Sequence, residues 1–548
     1  MVFKDSIRIL PLGGIDEIGK NMTVIEHNNE ILVIDCGIGF PSDDLFGVNV
    51  LIPDFSYIIK NKTKVRGLII THAHEDHIGA IQHFLEYINP NIYCTEFTAG
   101  VLDTKLTENQ LAICKKTIVK DGQILKLGHF TVEFIHTNHS IAGSVAVAIT
   151  TQVGKIIHTG DFKIDENSTV AKPINMARFK ALGDSGVLLL MSDSTNATKE
   201  ENLLNDTIVG ESLSKFIDNS NKRIIVTTFA SNIYRMQQII SIAEKNNRKV
   251  AISGRSLNTM ISVAKNLGYI KFKDNTLIEL DDIKNYPDNE LLIVTTGSQG
   301  EEMSALYRIA NGIHKQIEVT SNDKILMSSS TIPGNEKSIT EMVNLLMKRG
   351  AEVIYDRESE IHTSGHACRK ELEKMITTCR PKFFVPVHGE FIQLKKHQEI
   401  AEACGVPHEN IQIPVNGYEI VVTKDSIKLG NYIGCGIIYK NNMGAGVIGY
   451  EEVKTRKIIA EDGCIAITLL ADKAEIKKVI IKNIGFLNEN VFKDKEYQLQ
   501  FMIDMYLKKC KDENISDYSE IEKVVSDGVS AYILNETNCS PLVVTTII

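Results

Sequence analysis

Four potential metal donors crowd into one short stretch. Residues 71–77 read Thr-His-Ala-His-Glu-Asp-His, so His72, His74, Asp76 and His77 fall within six positions. Imidazole and carboxylate are the donors that borderline divalent metals such as zinc or manganese accept. A solvated turn has no reason to hold the spacing His-x-His-x-Asp-His, whereas a metal site does. One ion cannot use all four donors from so tight a turn. His72 and His74 are expected to point to one side, and Asp76 and His77 to the other. That suits two neighbouring ions, joined by a bridging oxygen ligand and completed by further histidines. The chain supplies candidates in His139 of Thr137-Asn-His-Ser140, Asp161 of His158-Thr-Gly-Asp161 and His388 of Pro386-Val-His-Gly-Glu390.

Such donors need strands to carry them. The apolar run Gly67-Leu-Ile-Ile70 leads directly into the cluster and reads as a buried strand. Ile7-Arg-Ile-Leu10 and Ile31-Leu-Val-Ile34 are two more, each followed by a glycine-bearing loop. Lys155-Ile-Ile-His158 and Val187-Leu-Leu-Leu-Met191 lead to Asp161 and Asp193. Acidic residues just past strand ends serve a site more often than a core. From about residue 205 helices and short apolar strands alternate, with parallel-type strands at 224–228, 249–252, 291–295 and 324–328 and helices such as 233–245 between them. Metal-type residues resume at His362, His366 and His388, so this second α/β domain reads as inserted into the first.

The expected division is 1–204 and 361–430 for the first domain and 205–360 for the insertion. A glycine-studded linker follows over 431–450, with Gly434, Gly436, Gly444, Gly446 and Gly449. Residues 451–548 read as a small α/β domain with strands at 464–470, 478–482 and 541–546 and helices at 495–511 and 518–534. It holds no chemically active cluster, which points to structural or oligomerising use.

Composition narrows the setting. The 548 residues, 43% hydrophobic and 24% charged, describe a globular chain of more than one domain. No apolar run approaches the ~20 residues of a membrane span, and the N-terminus lacks the apolar core of a signal peptide. The ten cysteines include no C-x-x-C pair, and Cys36, Cys94 and Cys464 read as small core residues. These features favour a reducing cytoplasm. A net charge of −9 predicts no global attraction to nucleic acid, so a nuclease would need a local basic groove. With no Trp, base stacking falls to Phe, Tyr, His or Arg.

The motifs taken together resemble the metallo-β-lactamase superfamily, its β-CASP subgroup and, more narrowly, the ribonuclease J family. The resemblance rests on Pro11-Leu-Gly-Gly14, Glu17-Ile-Gly-Lys-Asn21, Asp35, residues 71–77, His139, Asp161, Ser192-Asp-Ser-Thr-Asn196, Phe229-Ala-Ser-Asn232, Gly254-Arg-Ser256, Gly297-Ser-Gln-Gly300, Pro333-Gly-Asn-Glu336, Ser364-Gly-His366 and Pro386-Val-His-Gly-Glu390. It runs almost end to end. It departs in the segment after Asn196, which lacks a Pro-Gly turn, and at Thr331-Ile-Pro333; no ligand position is lost.

The resemblance implies an α/β fold: a metallo-β-lactamase αββα sandwich, an inserted β-CASP α/β domain and a small C-terminal α/β domain. It implies His72, His74 and His139 on one metal, Asp76, His77 and His388 on a second, and Asp161 bridging. The ions implied are two divalent cations, zinc first, with Mn2+ or Mg2+ as alternatives, which supply a hydroxide to attack phosphorus. Asp35 is expected to support the metal-binding loop without ligating, and Asp193 to orient the site. His158 is expected to be structural.

For substrate, Ser231 and Asn232 follow a strand and precede a helix, where backbone and hydroxyl groups can hold a phosphate. Arg255 follows the next strand and suits bidentate phosphate contact. With Ser364, Gly365 and His366, the resemblance implies a cradle for RNA phosphates, including a 5′-monophosphate end. His366 is placed near the reacting phosphate, as transition-state stabiliser or proton donor. The activity implied is hydrolysis of single-stranded RNA, both endonucleolytic and 5′-to-3′ exonucleolytic, in RNA maturation and decay. The catalytic residues are then Asp76, His77, Asp161, Asp193 and His366, and the partners a second copy or a tetramer and RNA-degradation proteins. Three other readings stay open on the residues alone. A small-molecule thioesterase or lactamase would turn over a thioester and not RNA. A DNA nuclease would separate in a side-by-side RNA and DNA assay, and a non-catalytic RNA-binding subunit would lack metal.

Overall fold

Alternating burial along short strands builds two facing sheets. In the computed structural model, which describes residues 5–548 except 43, 167, 169, 201–203, 330, 333, 356–358, 442–446 and 473–474, the strand Phe130–His136 sends Val132 and Phe134 to one side and Ile135 to the other. The first pair joins a core shared with Ile7, Ile9, Ile25, Leu32 and Ile34 of the opposite sheet. Ile135 packs with Ile157, Leu190 and Phe384 against helices Met176–Asp184, Arg369–Cys379 and Phe391–Ala403. Two-residue periodicity thus gives a sandwich with helices outside. Pro333, Gly444 and Gly446 of the motifs and linker above lie outside the described residues.

One sheet has eight strands in the order Ile427–Tyr432, Tyr418–Val422, Ile7–Gly13, Met22–His27, Glu30–Ile34, Val65–Ile69, Ile92–Cys94, Lys116–Ile118. The other has six, Pro381–Val387, Val187–Asp193, Lys155–His158, Val145–Thr150, Phe130–His136, Ile124–Leu127. The strands that precede the donors are parallel neighbours. Ile34 pairs with Ile69, His158 with Met191 and Asp193 with Val387. Parallel pairing brings their C-terminal ends to one edge, which is how residues 35, 70–77, 161, 193 and 388 meet.

A third, wholly parallel sheet runs Leu277–Ile278, Lys249–Ser253, Leu291–Thr295, Arg223–Thr227, Asp323–Met327, Glu352–Ile354. Its core includes Ile225, Ile293, Leu306, Ile325 and Leu346. It occupies the stretch between the first domain's strand Val187–Asp193 and its return at Pro381–Val387. Arg235 is fully buried here and donates to Asp206 at 3.0 Å, Ser328 Oγ at 2.6 Å and the Ile361 carbonyl at 2.8 Å. Asp206 also pairs with Lys163 of the sandwich.

These two domains cluster as one compact unit, residues 1–39 and 52–437. A second unit comprises residues 40–51 and 438–548. In the second, strands Cys464–Asp472, Glu475–Ile484 and Leu542–Ile547 form a sheet. Ile465, Ile467 and Leu469 pack on Phe492, Leu499 and Ile503 of helix Glu489–Asp512 and on Val525, Val529 and Ile533 of helix Tyr518–Thr537. Residues 40–51 belong to this unit because Val48 packs with Ile448 and Val453, while Lys457 pairs with Asp44 and Arg456 donates to the Phe46 carbonyl. Cys36 and Cys94 are buried as expected of core residues, but Cys464 is partly exposed, because it alternates away from Ile465 on its strand. Among the described residues no helix is long and apolar enough to cross a membrane.

Arg235→Met is expected to leave Asp206 and Ser328 short of a partner in a buried setting. A loss of a few kcal/mol corresponds to a melting transition lowered by on the order of 5 °C. Differential scanning calorimetry of the variant measures it, and an unchanged transition would show that the contact adds no stability.

Candidate metal centre

Cys36, Gly37 and Ile38 lie directly against residues 75–77. The Cys36 amide donates to the His77 carbonyl at 2.8 Å, the Ile38 amide to that of Glu75 at 3.0 Å, and the Asn21 amide to that of Asp76 at 3.0 Å. Gly37 is required by this approach, since a Cβ there would sit 1.6 Å from the Asp76 carbonyl oxygen. Asp35, at a left-handed φ of 61°, accepts the Thr71 amide and hydroxyl, each at 2.8 Å, and faces His77 Nδ1 at 2.8 Å. It touches the donors' outer side, as a support does.

The structure brings the predicted donors into two groups. Nε2 of His72 and Nε2 of His139 each lie 3.0 Å from Nδ1 of His74. Asp161 Oδ2 lies 3.7 Å from the first and 3.9 Å from the second. In the second group His77 Nε2 is 3.5 Å from Asp76 Oδ2 and 3.3 Å from Asp161 Oδ2, while His388 Nε2 is 3.2 Å from Asp76 Oδ2. Both groups contain Asp161 and are compact enough to hold a metal ion each; Asp161, Asp193, His366 and His388 form a third overlapping set.

The donor chemistry fits cations. His139 Nδ1 donates to the Gly365 carbonyl at 2.7 Å, and Nδ1 of His72 faces the Thr71 hydroxyl at 3.1 Å. The inward nitrogens are thereby left as lone-pair donors converging on one point, an arrangement that repels itself until a cation occupies it. Burial holds His72 and His139 well below the usual imidazole range, and desolvation pushes His74 down to about 4 against the pull of Asp76 and Asp161. All three are neutral, as ligands must be. At the second group burial again opposes charge, but Asp161 and its neighbouring carboxylates raise His77 and His388 well above the usual range. Burial works against ionising Asp76 and Asp161 too, yet His77 and His388 keep both well below the usual carboxylate range. This group binds positive charge, as protons or as metal.

The remaining predicted residues are placed as follows. Ser231 Oγ lies 3.1 Å from His74 Nε2, so the insertion reaches the first group directly. His366 Nδ1 meets Asp193 Oδ2 at 2.8 Å, and Asp193 raises its pKa despite burial. Ser364 accepts from Asn196 Nδ2 at 2.7 Å. Gly365 must be glycine, because a Cβ would come within 2.8 Å of the His139 ring. Asn232 is buried and its side-chain oxygen caps helix Ile233–Lys245 by accepting from the Arg235 amide, a structural task. Arg255 begins helix Arg255–Asn266, is exposed, and makes no ion pair among the described residues. His158 is buried, accepts the Gly160 amide and sits near pKa 4 through burial, a structural residue. His362 lies beside Phe229, outside both donor groups.

Sequence reasoning gave no role to Thr71, Thr195 and Asn196. Each hydrogen-bonds a predicted residue, and Asn196 reaches Ser364 across 168 positions. Only the motif Ser192-Asp-Ser-Thr-Asn196 could have flagged the last two.

Fold and donor set define a metallo-β-lactamase-type hydrolase with a β-CASP insertion. Residues 15–206 match the metallo-beta-lactamase superfamily model, 221–346 the ribonuclease J beta-CASP domain, 350–414 the Zn-dependent metallo-hydrolase RNA specificity domain, and 451–548 the ribonuclease J C-terminal domain. A ribonuclease J of Helicobacter pylori is 40% identical over 526 residues, covering 95% of this chain and 76% of that one. Ribonuclease J2 of Bacillus subtilis is 32% identical over 98% of both chains, and a ribonuclease J of Mycoplasma genitalium 33% identical over 99% and 97%. A solved structure of a protein of unknown function from Enterococcus faecalis shares the fold alone, at TM-score 0.53 and 16% identity, covering 76% of this chain and 100% of the other. The chain belongs to the ribonuclease J family, a family of metal-dependent ribonucleases.

His397 offers a test of the core beneath the site. It is buried, meets Ser194 at 3.0 Å, and burial lowers its pKa to about 3. Unfolded, the ring titrates near 6.5, so the unfolded chain takes up the proton first. The stability it contributes is whole above pH ~6.5 and falls as pH drops towards 3, by roughly 2 kcal/mol at pH 5. His397→Gln is therefore expected to flatten the decline in melting temperature between pH 7 and pH 5; an equal slope in both proteins counts against it.

Proposed function

We propose that the chain hydrolyses single-stranded RNA with two divalent cations, zinc first, held by His72, His74 and His139 on one side and by Asp76, His77 and His388 on the other, with Asp161 between them. The observation that carries this is the pair of donor groups sharing Asp161 beneath Ser231, Ser364 and His366. Bound there, such ions supply Lewis acidity and water acidified to near neutral pH.

The protein's own groups do the rest. Asp35 and Thr71 hold the donor loop in place. Ser231, Ser364 and the backbone at Gly365 offer donors to phosphate oxygens, with Arg255 at the start of helix Arg255–Asn266, and they favour a 5′-monophosphate end. Asn232 supports this surface by capping the helix behind Ser231. His366, its Nδ1–H given to Asp193 and its pKa raised, presents Nε2 to the leaving ribose oxygen and delivers a proton as the P–O bond breaks. Both endonucleolytic and 5′-to-3′ cleavage fit a site roofed by an inserted domain, and RNA maturation and decay in the cytoplasm fit the family.

One RNA, labelled and carrying either a 5′-monophosphate or a 5′-triphosphate, tests this with zinc and manganese. Wild type is expected to degrade the monophosphate form faster. Asp76→Ala with His77→Ala should cut neither while keeping its circular dichroism, and Ser364→Ala should lose the preference between ends. Cleavage by the double variant at the wild-type rate would end the two-metal reading.

We further propose that residues 451–548 carry self-association into a dimer or tetramer and the docking of RNA-degradation partners. Because residues 40–51 pack on helix Tyr450–Asp462, truncation should come after that helix. Light scattering on residues 1–462 should show a smaller assembly than the full chain; an equal number of protomers per particle refutes the assignment.

A further inference from the structure

Thr195 has no part in the reading above, yet its hydroxyl stands between two groups that have. Its Oγ1 donates to Asp193 Oδ1 at 2.8 Å, and its amide does so at 3.0 Å. The same oxygen lies 3.2 Å from Nδ1 of His388 and 3.3 Å from the His388 carbonyl. With its proton on the shorter contact, to Asp193, the hydroxyl is left to accept Nδ1–H of His388. Asp161 Oδ1 at 3.0 Å and Asp193 Oδ1 at 3.5 Å face that same nitrogen. Three acceptors lie on the Nδ1 side of the ring, so that nitrogen holds a proton, while Nε2 looks towards Asp76 Oδ2 at 3.2 Å across the proposed second cation site.

The backbone needs equal control. His388 has a φ of 54°, a region few non-glycine residues enter. Its amide donates to the Gly14 carbonyl at 3.0 Å, and its own carbonyl accepts from the Ser194 amide at 3.3 Å. Ser194 and Thr195 thus hold His388 at main chain and ring together.

We propose that Thr195 is a positioning residue that fixes the tautomer and rotation of the His388 ring, and so sets how tightly the second cation site binds. Asp193 divides its oxygens between this task and His366, which links the RNA-facing histidine to the ligand histidine through one carboxylate. The inference rests on the two-cation reading.

Wild type, Thr195→Val and Thr195→Ser, each full length, are loaded with zinc and dialysed against graded chelator. Ions per chain are counted by inductively coupled plasma mass spectrometry, and the melting temperature of the stripped proteins is recorded. Valine keeps the shape and removes the hydroxyl; one of the two ions should then be held about tenfold more weakly, or less tightly still, with the other retained. Serine should restore wild-type retention, and all stripped proteins should melt alike. Valine retaining both ions like wild type, serine failing like valine, or a stripped valine variant melting well below stripped wild type each overturns the proposal. Wild type retaining fewer than two ions overturns the two-cation reading itself, a result seen in the unsubstituted chain.

Discussion

Asp161 lies buried with five imidazoles within 3.9 Å of its oxygens: His72, His77, His139, His366 and His388. A carboxylate so far from water is costly unless positive charge and hydrogen-bond donors surround it. Its environment divides the histidines. Those of the first group are kept neutral by burial, and those of the second are drawn towards charge by Asp161, Asp76 and Asp35. One side of Asp161 therefore offers lone pairs, while the other offers negative charge that a cation can neutralise. The left-handed backbones of Asp35 and His388 persist because main-chain hydrogen bonds hold them, from the Asp35 amide to the Ile69 carbonyl and from the His388 amide to the Gly14 carbonyl.

The insertion is held to this site and not merely appended. Arg235 ties the helix after Ser231 to Asp206 and to the Ile361 carbonyl, three residues before Ser364 in the segment that also carries His366. Ser231 follows strand Arg223–Thr227, which lies inside the parallel sheet with neighbours on both sides. Loops beyond the C-terminal ends of such strands are where parallel α/β sheets bind ligands. Here that loop meets His74 through Ser231, so the insertion reaches the donor groups of the other domain.

How much of this the sequence discloses follows from how local each feature is. The donors at 72–77 are legible because their spacing is the signal, and the strands because apolar runs report burial. His139, Asp161 and His388 are single residues whose meaning comes from motif context, since nothing in their spacing shows parallel strands bringing their ends together. Thr195 and Asn196 are less legible still, because their partners lie 193 and 168 positions away. Asn232 reads as a phosphate-binding residue from its loop position, and its side-chain oxygen caps the helix that follows, which the loop position alone does not disclose. Residues 40–51 read as part of the first domain, and it is long-range contact, Val48 on Val453 and Asp44 on Lys457, that joins them to the C-terminal unit.

An acidic chain acting on a polyanion raises an electrostatic problem, and the site itself contains the answer. Asp35, Asp76, Asp161 and Asp193 bring four carboxylates to one edge of the fold, three of them buried. Without cations, protons taken up by His77, His388 and His366 offset part of that negative charge, and the net charge of −9 adds no attraction for a phosphodiester. The two divalent ions proposed above would balance the four carboxylates, and the raised pKa of His366 would add positive charge on the side proposed for the phosphate. On this argument the proposed cations would serve substrate binding as well as chemistry. A roof of neutral donors, Ser231, Ser364 and the backbone at Gly365, would then have only to orient a phosphate attracted from beneath.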